Sequence, residues 1–262
     1  MINRKGKNIE NRGGAWRRPC LLSLLGLSFL ELVSFARTPA SAPPAGEPII
    51  NERGSMKEVF ADGGAPKVNL NELKDTPHLY ALGPLSKLRG EIMIWDSRPF
   101  ECRAKMGNVQ VKTDWDETAA FLAWSSVSKW KKIKVPPAVR SLQTFNSWLN
   151  SMSGSSGGGA LLPSQYPFLL KGHFGRIVWH ISSVKEDGTP LTPERQRTQQ
   201  FHGQNKVLHA EMLGFYSPQK QGIFIPQGSS THIHVNIAER VIGHVDDFDP
   251  IGESSLTLYV PD

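Results

Sequence analysis

The sequence predicts an α+β fold in which mixed or antiparallel β-sheets dominate and helices are few. Short apolar segments of strand length recur and are separated by turn residues, as in the hairpin-like pair 79–83 and 90–96. Only residues 139–152 carry apolar side chains at three- and four-residue steps, which is typical of an amphipathic helix. The chain shows neither an internal repeat nor the alternation of strands and helices of a nucleotide-binding fold, so that class is excluded.

The other elements can be placed in order along the chain. Residues 57–60 are predicted to form a first short strand, and residues 68–74 a short helix capped by Asn69 or Asn71. The basic run 131–134 is predicted to be the solvated edge of a strand rather than a binding patch. Residues 189–204 are polar and are predicted to form a loop. Further strand-like segments are 109–112, 168–181 (a strand pair or one bent strand), 206–216 and 256–260.

The N-terminal part of the chain lacks the pattern of a folded domain. Residues 1–36 combine a basic segment with an apolar run that ends in small residues, which indicates an export signal and a periplasmic or extracellular protein. Residues 37–55 are rich in proline and alanine and are predicted to be a disordered spacer. The folded domain is then expected at 56–262. Cleavage of the signal stays open, because Glu31 interrupts the apolar run and the basic segment is long.

Charge and cysteine content narrow the class of protein. The net charge is +6, but residues 1–36 hold six basic and two acidic residues, so the remainder carries only +2. A near-neutral domain gives no electrostatic reason to expect nucleic acid or, after signal removal, a membrane as partner. Cys102 is then the one remaining cysteine, which excludes an internal disulfide. No helix start or basic partner for its thiol is evident, so a structural role is favoured over a nucleophilic one.

Three histidines lie within thirteen residues near the C-terminus. His232 and His234 are two apart, so on a strand their side chains point to the same face. The polar residues 238–240 can turn the chain, and His244 on the returning strand can then face this pair. Three neutral imidazoles supply three corners of a tetrahedral site and leave one open, as in a catalytic zinc centre. The alternative is a surface hairpin without a metal.

Two further interpretations follow from the residues alone. Glu91 is a carboxylate at the start of an apolar strand, and its spacing favours a position facing solvent. A cupin-like barrel is a different class of protein that His232, His234 and Glu239 partly suggest. That class requires another histidine a strand or more beyond, and no histidine follows His244.

With these residues placed, the chain resembles the acetolactate decarboxylase family over residues 56–262. The histidine hairpin with Gly243-His244-Val245-Asp246 carries most of the resemblance. Gly90-Glu91-Ile92, the strand 170–174 and Gly214-Phe215-Tyr216-Ser217-Pro218 match other family segments in the same order.

The resemblance implies a zinc-dependent carboxy-lyase whose metal is held by His232, His234 and His244. It also implies that Glu91 lies near the metal, against the solvent-facing position that spacing favours. The implied reaction converts 2-acetolactate, or a related small 2-hydroxy-3-keto acid, to acetoin and CO2 through a metal-stabilised enediolate, with Glu91 managing a proton. The alternative is a family offshoot with the same metal site but another substrate, or a binding protein without catalysis. No oligomeric state is implied.

The chain departs from the family pattern at several positions. His180 stands where the family has a catalytic arginine, so the candidate catalytic residues are Glu91, His180 and Arg176. Arg176 is expected on the same strand face as His180, although four residues on a strand span about 13 Å. His180 could bind a substrate carboxylate, act as a fourth metal ligand, or pack beside Trp179. Pro84 replaces a family threonine, and the family's C-terminal glutamate has no counterpart here.

Overall fold

The protein is described by a computed structural model covering residues 48–153, 161–252 and 256–262. The predicted export signal and residues 37–47 of the predicted spacer lie outside these ranges. No helix among the described residues is long and apolar enough to span a membrane. The strands, in chain order, are β1 (Asn51–Arg53), β2 (Val68–Asn69), β3 (Leu79–Pro84), β4 (Glu91–Trp95), β5 (Arg98–Lys105), β6 (Asn108–Lys112), β7 (Thr118–Ala119), β8 (Leu122–Ser126), β9 (Trp130–Lys134), β10 (Tyr166–Ser182), β11 (Gln200–Tyr216), β12 (Thr231–Ile237), β13 (Val241–Pro250) and β14 (Leu256–Pro261). The helices are α1 (Met56–Ala61), α2 (Leu142–Met152) and α3 (Pro193–Thr198), with short 3-10 helices at Leu70–Leu73, Ser86–Leu88 and Pro218–Lys220.

Two six-stranded sheets form the body of the structure, which confirms the predicted α+β fold with antiparallel sheets. The first has the order β1-β8-β3-β4-β5-β6, and the second β11-β12-β13-β10-β14-β9. The second sheet closes on itself, because β10 pairs with β11 as well as with β13 and β14. All pairings between the named strands are antiparallel in the described chain.

Alternation along β3 explains how the first sheet is buried on both faces. Tyr80 and Leu82 belong to the large core that the two sheets share, whereas Leu79 and Ala81 belong to a smaller core on the opposite face. Successive side chains of a strand point to opposite faces, so a strand covered on both sides reads as a continuous apolar run. Strand β4 lies next to β3 and is likewise buried on both faces.

Helix α2 covers the second sheet. Its N-terminus carries a capping box, in which Ser141 and Thr144 each bond the other's backbone N–H. Phe145 is fully buried and makes edge-to-face contacts with Phe168 of β10 and Phe248 of β13. The amphipathic pattern predicted for 139–152 thus forms a helix from Leu142 and packs through its apolar face.

Three local predictions are wrong. Residues 57–60 lie in helix α1 rather than a strand, because Ser55 caps the backbone N–H of Glu58 and Glu58 bonds the Ser55 hydroxyl in return. The predicted loop 189–204 contains α3 and the start of β11. The folded part also begins earlier than residue 56, since Asn51–Arg53 pair with β8. By contrast, residues 131–134 lie in the edge strand β9, and 168–181 form one long strand, β10.

Replacing Phe145 with alanine is expected to lower the free energy of unfolding by about 3–5 kcal/mol, because it leaves a cavity between α2 and the second sheet. Denaturant unfolding followed by fluorescence measures the change. Gln143→Ala, on the exposed side of the same helix, serves as the control and should stay within about 0.5 kcal/mol of the wild type. Equal losses for both variants would contradict the assigned packing of α2.

Candidate metal centre and cavity

The histidine hairpin places three imidazoles together. His234 on β12 lies directly opposite His244 on β13, and His232 precedes His234 on the same face. One ring nitrogen from each of the three lies within 4.8 Å of the others. The connecting turn is closed by a bond from the Arg240 N–H to the Ile237 carbonyl. Its central residues, Ala238 and Glu239, have positive φ, as in turns whose twist suits an antiparallel hairpin. The hairpin therefore brings the three predicted ligand residues to one point.

Backbone carbonyls orient two of these rings. Nδ1 of His232 donates to the carbonyl of Phe224 at 2.7 Å, and Nδ1 of His234 donates to the carbonyl of Ile92 at 2.9 Å. Each bond fixes the tautomer and leaves Nε2 with the lone pair, as in protein sites where histidine binds a metal. Nε2 of His234 is buried and has no hydrogen-bond partner among the described residues. A buried, unsatisfied nitrogen beside two other imidazoles fits a metal ion.

Burial also sets the charge of the three histidines. It lowers the pKa of His232, His234 and His244 well below the usual value, and repulsion between neighbouring imidazoles lowers each pKa further. The backbone hydrogen bonds of His232 and His234 oppose this effect only in part. All three are therefore neutral near pH 7, which is the form that binds a metal.

Glu91 lies against the centre and does not face solvent. Its side chain is buried at the start of β4, with Oε2 3.6 Å from Nε2 of His234. Oε1 accepts a hydrogen bond of 2.9 Å from the backbone N–H of Ser182 on β10. Burial raises the pKa of Glu91 to about 7, although the charge of His180 and the bond from Ser182 act in the opposite direction. A carboxyl group with this pKa can both hold and release a proton near neutrality.

His180 also borders the centre. It lies opposite His244 in the β10–β13 register, with 4.7 Å between the ring centroids. Its Nδ1 is 2.7 Å from Oδ1 of Asp246, which accepts the hydrogen bond. Burial lowers the pKa of His180, but the hydrogen bond and charge of Asp246 outweigh that effect and raise it. His202, 3.9 Å from the other Asp246 oxygen, completes a second polar group.

The structure does not bring Arg176 to this centre, contrary to the prediction. Residues 176–181 of β10 alternate regularly in burial, so Arg176 shares a strand face with His180, but four residues along a strand span about 13 Å. The guanidinium of Arg176 bonds Asp247 and Asp249, each at 2.8 Å. It is not among the described residues that line the neighbouring cavity.

A cavity of about 440 Å³ opens onto the centre. His232, His244, Glu91 and His180 line it, together with Ser182, and Pro84 occupies its wall. This volume is in the range of small-molecule sites. Two imidazoles of the centre, those of His232 and His244, thus lie with the Glu91 carboxyl group at a cavity that can admit a small substrate.

Lys57 and Gln196 are among the contributors to the cavity wall that the sequence interpretation missed. They come from α1 and α3, which lie in the segments predicted as strand and loop. The sequence does contain signals for the starts of both helices. Ser55 followed by Glu58 marks the start of α1, and Thr192 followed by Pro193 marks the start of α3.

The fold and site define a class of β-sheet protein with a buried three-histidine centre beside a carboxylate. The family described as alpha-acetolactate decarboxylase matches residues 66–260, well over half of the chain. The protein belongs to the alpha-acetolactate decarboxylase family.

Solved structures share this fold at low sequence identity. Acetolactate decarboxylase from Bacillus subtilis subspecies spizizenii has a TM-score of 0.63 and 18% identity, covering 81% of this chain and 86% of its own. The enzyme from Bacillus subtilis strain 168 gives 0.60 and 17%, with the same coverage. A Staphylococcus aureus protein of unknown function, similar to alpha-acetolactate decarboxylase, gives 0.61 and 17%, covering 80% and 84%. No curated protein matches the chain.

Cys102 lies opposite Glu91 in the register between β4 and β5, is buried, and is expected to be chemically inert. Burial raises the pKa of its thiol to about 12, despite a bond from the Ile242 N–H to its sulfur. In a Cys20→Ser chain at about pH 8, a disulfide reagent should therefore label native Cys102 at least about 100-fold more slowly than the unfolded chain. Thiol titration with and without denaturant measures both rates. Rapid labelling of the native protein would contradict the buried position.

Proposed function

We propose that this protein is an exported, zinc-dependent decarboxylase that converts 2-acetolactate, or a related small 2-hydroxy-3-keto acid, to acetoin and CO2. One observation carries the proposal: the unpartnered Nε2 of buried His234 lies beside two neutral imidazoles and the carboxyl group of Glu91. Membership of the alpha-acetolactate decarboxylase family supports the reaction class.

The donor set favours zinc. Three neutral imidazoles with one coordination position left over match catalytic zinc sites, and His232, His234 and His244 would hold the ion. When bound, zinc would supply Lewis-acid polarisation of the substrate's hydroxyl and ketone oxygens. The carbonyls of Phe224 and Ile92 keep His232 and His234 in the tautomer that this role requires.

Glu91 is proposed as the proton carrier. Decarboxylation breaks the bond between the carboxylate carbon and C2 and leaves an electron pair on the remaining fragment, which needs one proton to become acetoin. Glu91 borders both the cavity and the centre, and Ser182 fixes one carboxyl oxygen while the other faces His234. A proton held on the free oxygen can thus reach the reacting carbon without bulk water.

His180 is proposed to orient the substrate. Asp246 accepts the hydrogen bond from Nδ1, so Nε2 remains available to a ligand in the cavity. An Asp–His pair of this kind holds the ring in one orientation and stabilises its protonated form. A binding protein, or an enzyme for another keto acid, remains the second candidate, because no arginine lines the described part of the cavity.

The metal assignment predicts about one equivalent of zinc per full-length chain, measured by elemental analysis after dialysis. His234→Ala should weaken zinc binding by about 100-fold or more, because it removes a ligand from the centre. His209→Ala, at an exposed position on β11, is the matched control and should retain the metal. Zinc retained by His234→Ala would show that the ion binds elsewhere.

The catalytic assignment predicts that the zinc-loaded full chain forms acetoin from racemic acetolactate. Glu91→Gln keeps the shape of the side chain but cannot transfer the proton, so kcat should fall by about 10²- to 10⁴-fold with zinc content unchanged. Acetoin release, followed against a His232→Ala/His234→Ala double variant, gives the rates. One equivalent of zinc with no acetoin above the double variant would reject decarboxylation and favour the binding protein.

A further inference from the structure

The wall of the cavity contains one basic side chain. Among the described lining residues, Lys57 is the only lysine or arginine, and the other polar contributors include the amides of Gln196, Gln200 and Gln227. A 2-hydroxy-3-keto acid enters as an anion, and an anion that leaves water needs a compensating positive group. The cavity supplies one permanent cation from α1.

The position of Lys57 is fixed by contacts at its backbone and along its side chain. Its backbone N–H donates to the carbonyl of Gly222 at 3.1 Å. The backbone N–H of the preceding Met56 donates to the carbonyl of Ile223 at 2.8 Å. Its methylenes cross Gly222, where an added Cβ would lie 2.7 Å from Cε of Lys57. Gly222 also has a φ of +75°, which favours glycine. The exposed lysine side chain therefore passes closely over Gly222.

Lys57 has no carboxylate partner within the described part of the chain, whereas many other lysines do. Lys67 pairs with Asp62, Lys171 with Glu211 and Lys220 with Glu52, each at 2.7 Å. An ammonium group at a cavity wall without such a partner is free to bind an incoming anion.

We infer that Lys57 is a specificity-determining residue that binds the carboxylate of the substrate and selects acids over neutral hydroxyketones. This inference rests on the proposed function, since it assumes a 2-hydroxy acid as the substrate class. Arg176 is not assigned this carboxylate-binding role, because its guanidinium already bonds two aspartates. His180 is left to orient the remainder of the substrate.

Two unreactive probes separate the carboxylate from the rest of the ligand. The acid 2-hydroxy-2-methylpropanoate keeps the hydroxyl and carboxylate but lacks the ketone, so it cannot follow the decarboxylation route. The neutral compound 3-hydroxy-3-methylbutan-2-one keeps the hydroxyl and ketone and carries a methyl group in place of the carboxylate. Calorimetric titration of the zinc-loaded full chain gives a Kd for each, without any requirement for turnover.

Lys57→Met should weaken binding of the acid about tenfold and leave binding of the neutral ketone unchanged, because only the acid uses the charge. Lys57→Arg should restore the affinity for the acid to within about threefold. Lys74→Met removes an exposed charge that does not line the cavity and should change neither Kd. Added salt should weaken acid binding more in the wild type than in Lys57→Met.

The outcomes separate this inference from the proposed function. Equal affinity of wild type and Lys57→Met for the acid would overturn the role of Lys57, even if acetoin forms. Failure of the wild type to bind the acid would overturn it as well. Selective loss of acid binding in Lys57→Met supports the inference, and absence of acetoin in the turnover assay would then reject decarboxylation alone.

Discussion

The hydrogen bond from Nδ1 of His234 to the carbonyl of Ile92 joins the two sheets at the point where the candidate site forms. Ile92 follows Glu91 on β4, so the strand that orients a proposed metal ligand also delivers the carboxyl group beside it. The Ser182 N–H ties that carboxyl group to β10. Two adjacent residues of one buried strand thus determine the tautomer of a histidine and the placement of a proton carrier.

This dependence explains which parts of the site were visible in the sequence. His232, His234 and His244 follow strand alternation and one short turn, and both are local properties of the chain. The position of Glu91 depends on a sheet packing against β4, so spacing alone placed it in solvent and only the family resemblance placed it at the metal. Burial of a carboxylate is a tertiary property that alternation does not encode.

The misplaced elements have equally physical causes. A four-residue segment such as 57–60 fits either a strand or one helical turn, and here the Ser55–Glu58 cap decides for the helix. Along β10, Arg176 shares a face with His180 as alternation predicts, but its distance along the strand and its bonds to Asp247 and Asp249 keep it from the centre. The overall α+β architecture was predictable because it rests on many segments, whereas each of these errors rests on one.

All three candidate ligands belong to one hairpin and lie within thirteen consecutive residues. Bringing them together closes a short loop, so little chain entropy opposes their assembly. The carbonyl of Ile92 lies 142 residues earlier and arrives only when the two sheets dock. Local sequence therefore brings the donors together at little entropic cost, while long-range packing sets their final orientation. The affinity of the three histidines for a metal ion would therefore report how closely the two sheets pack against each other.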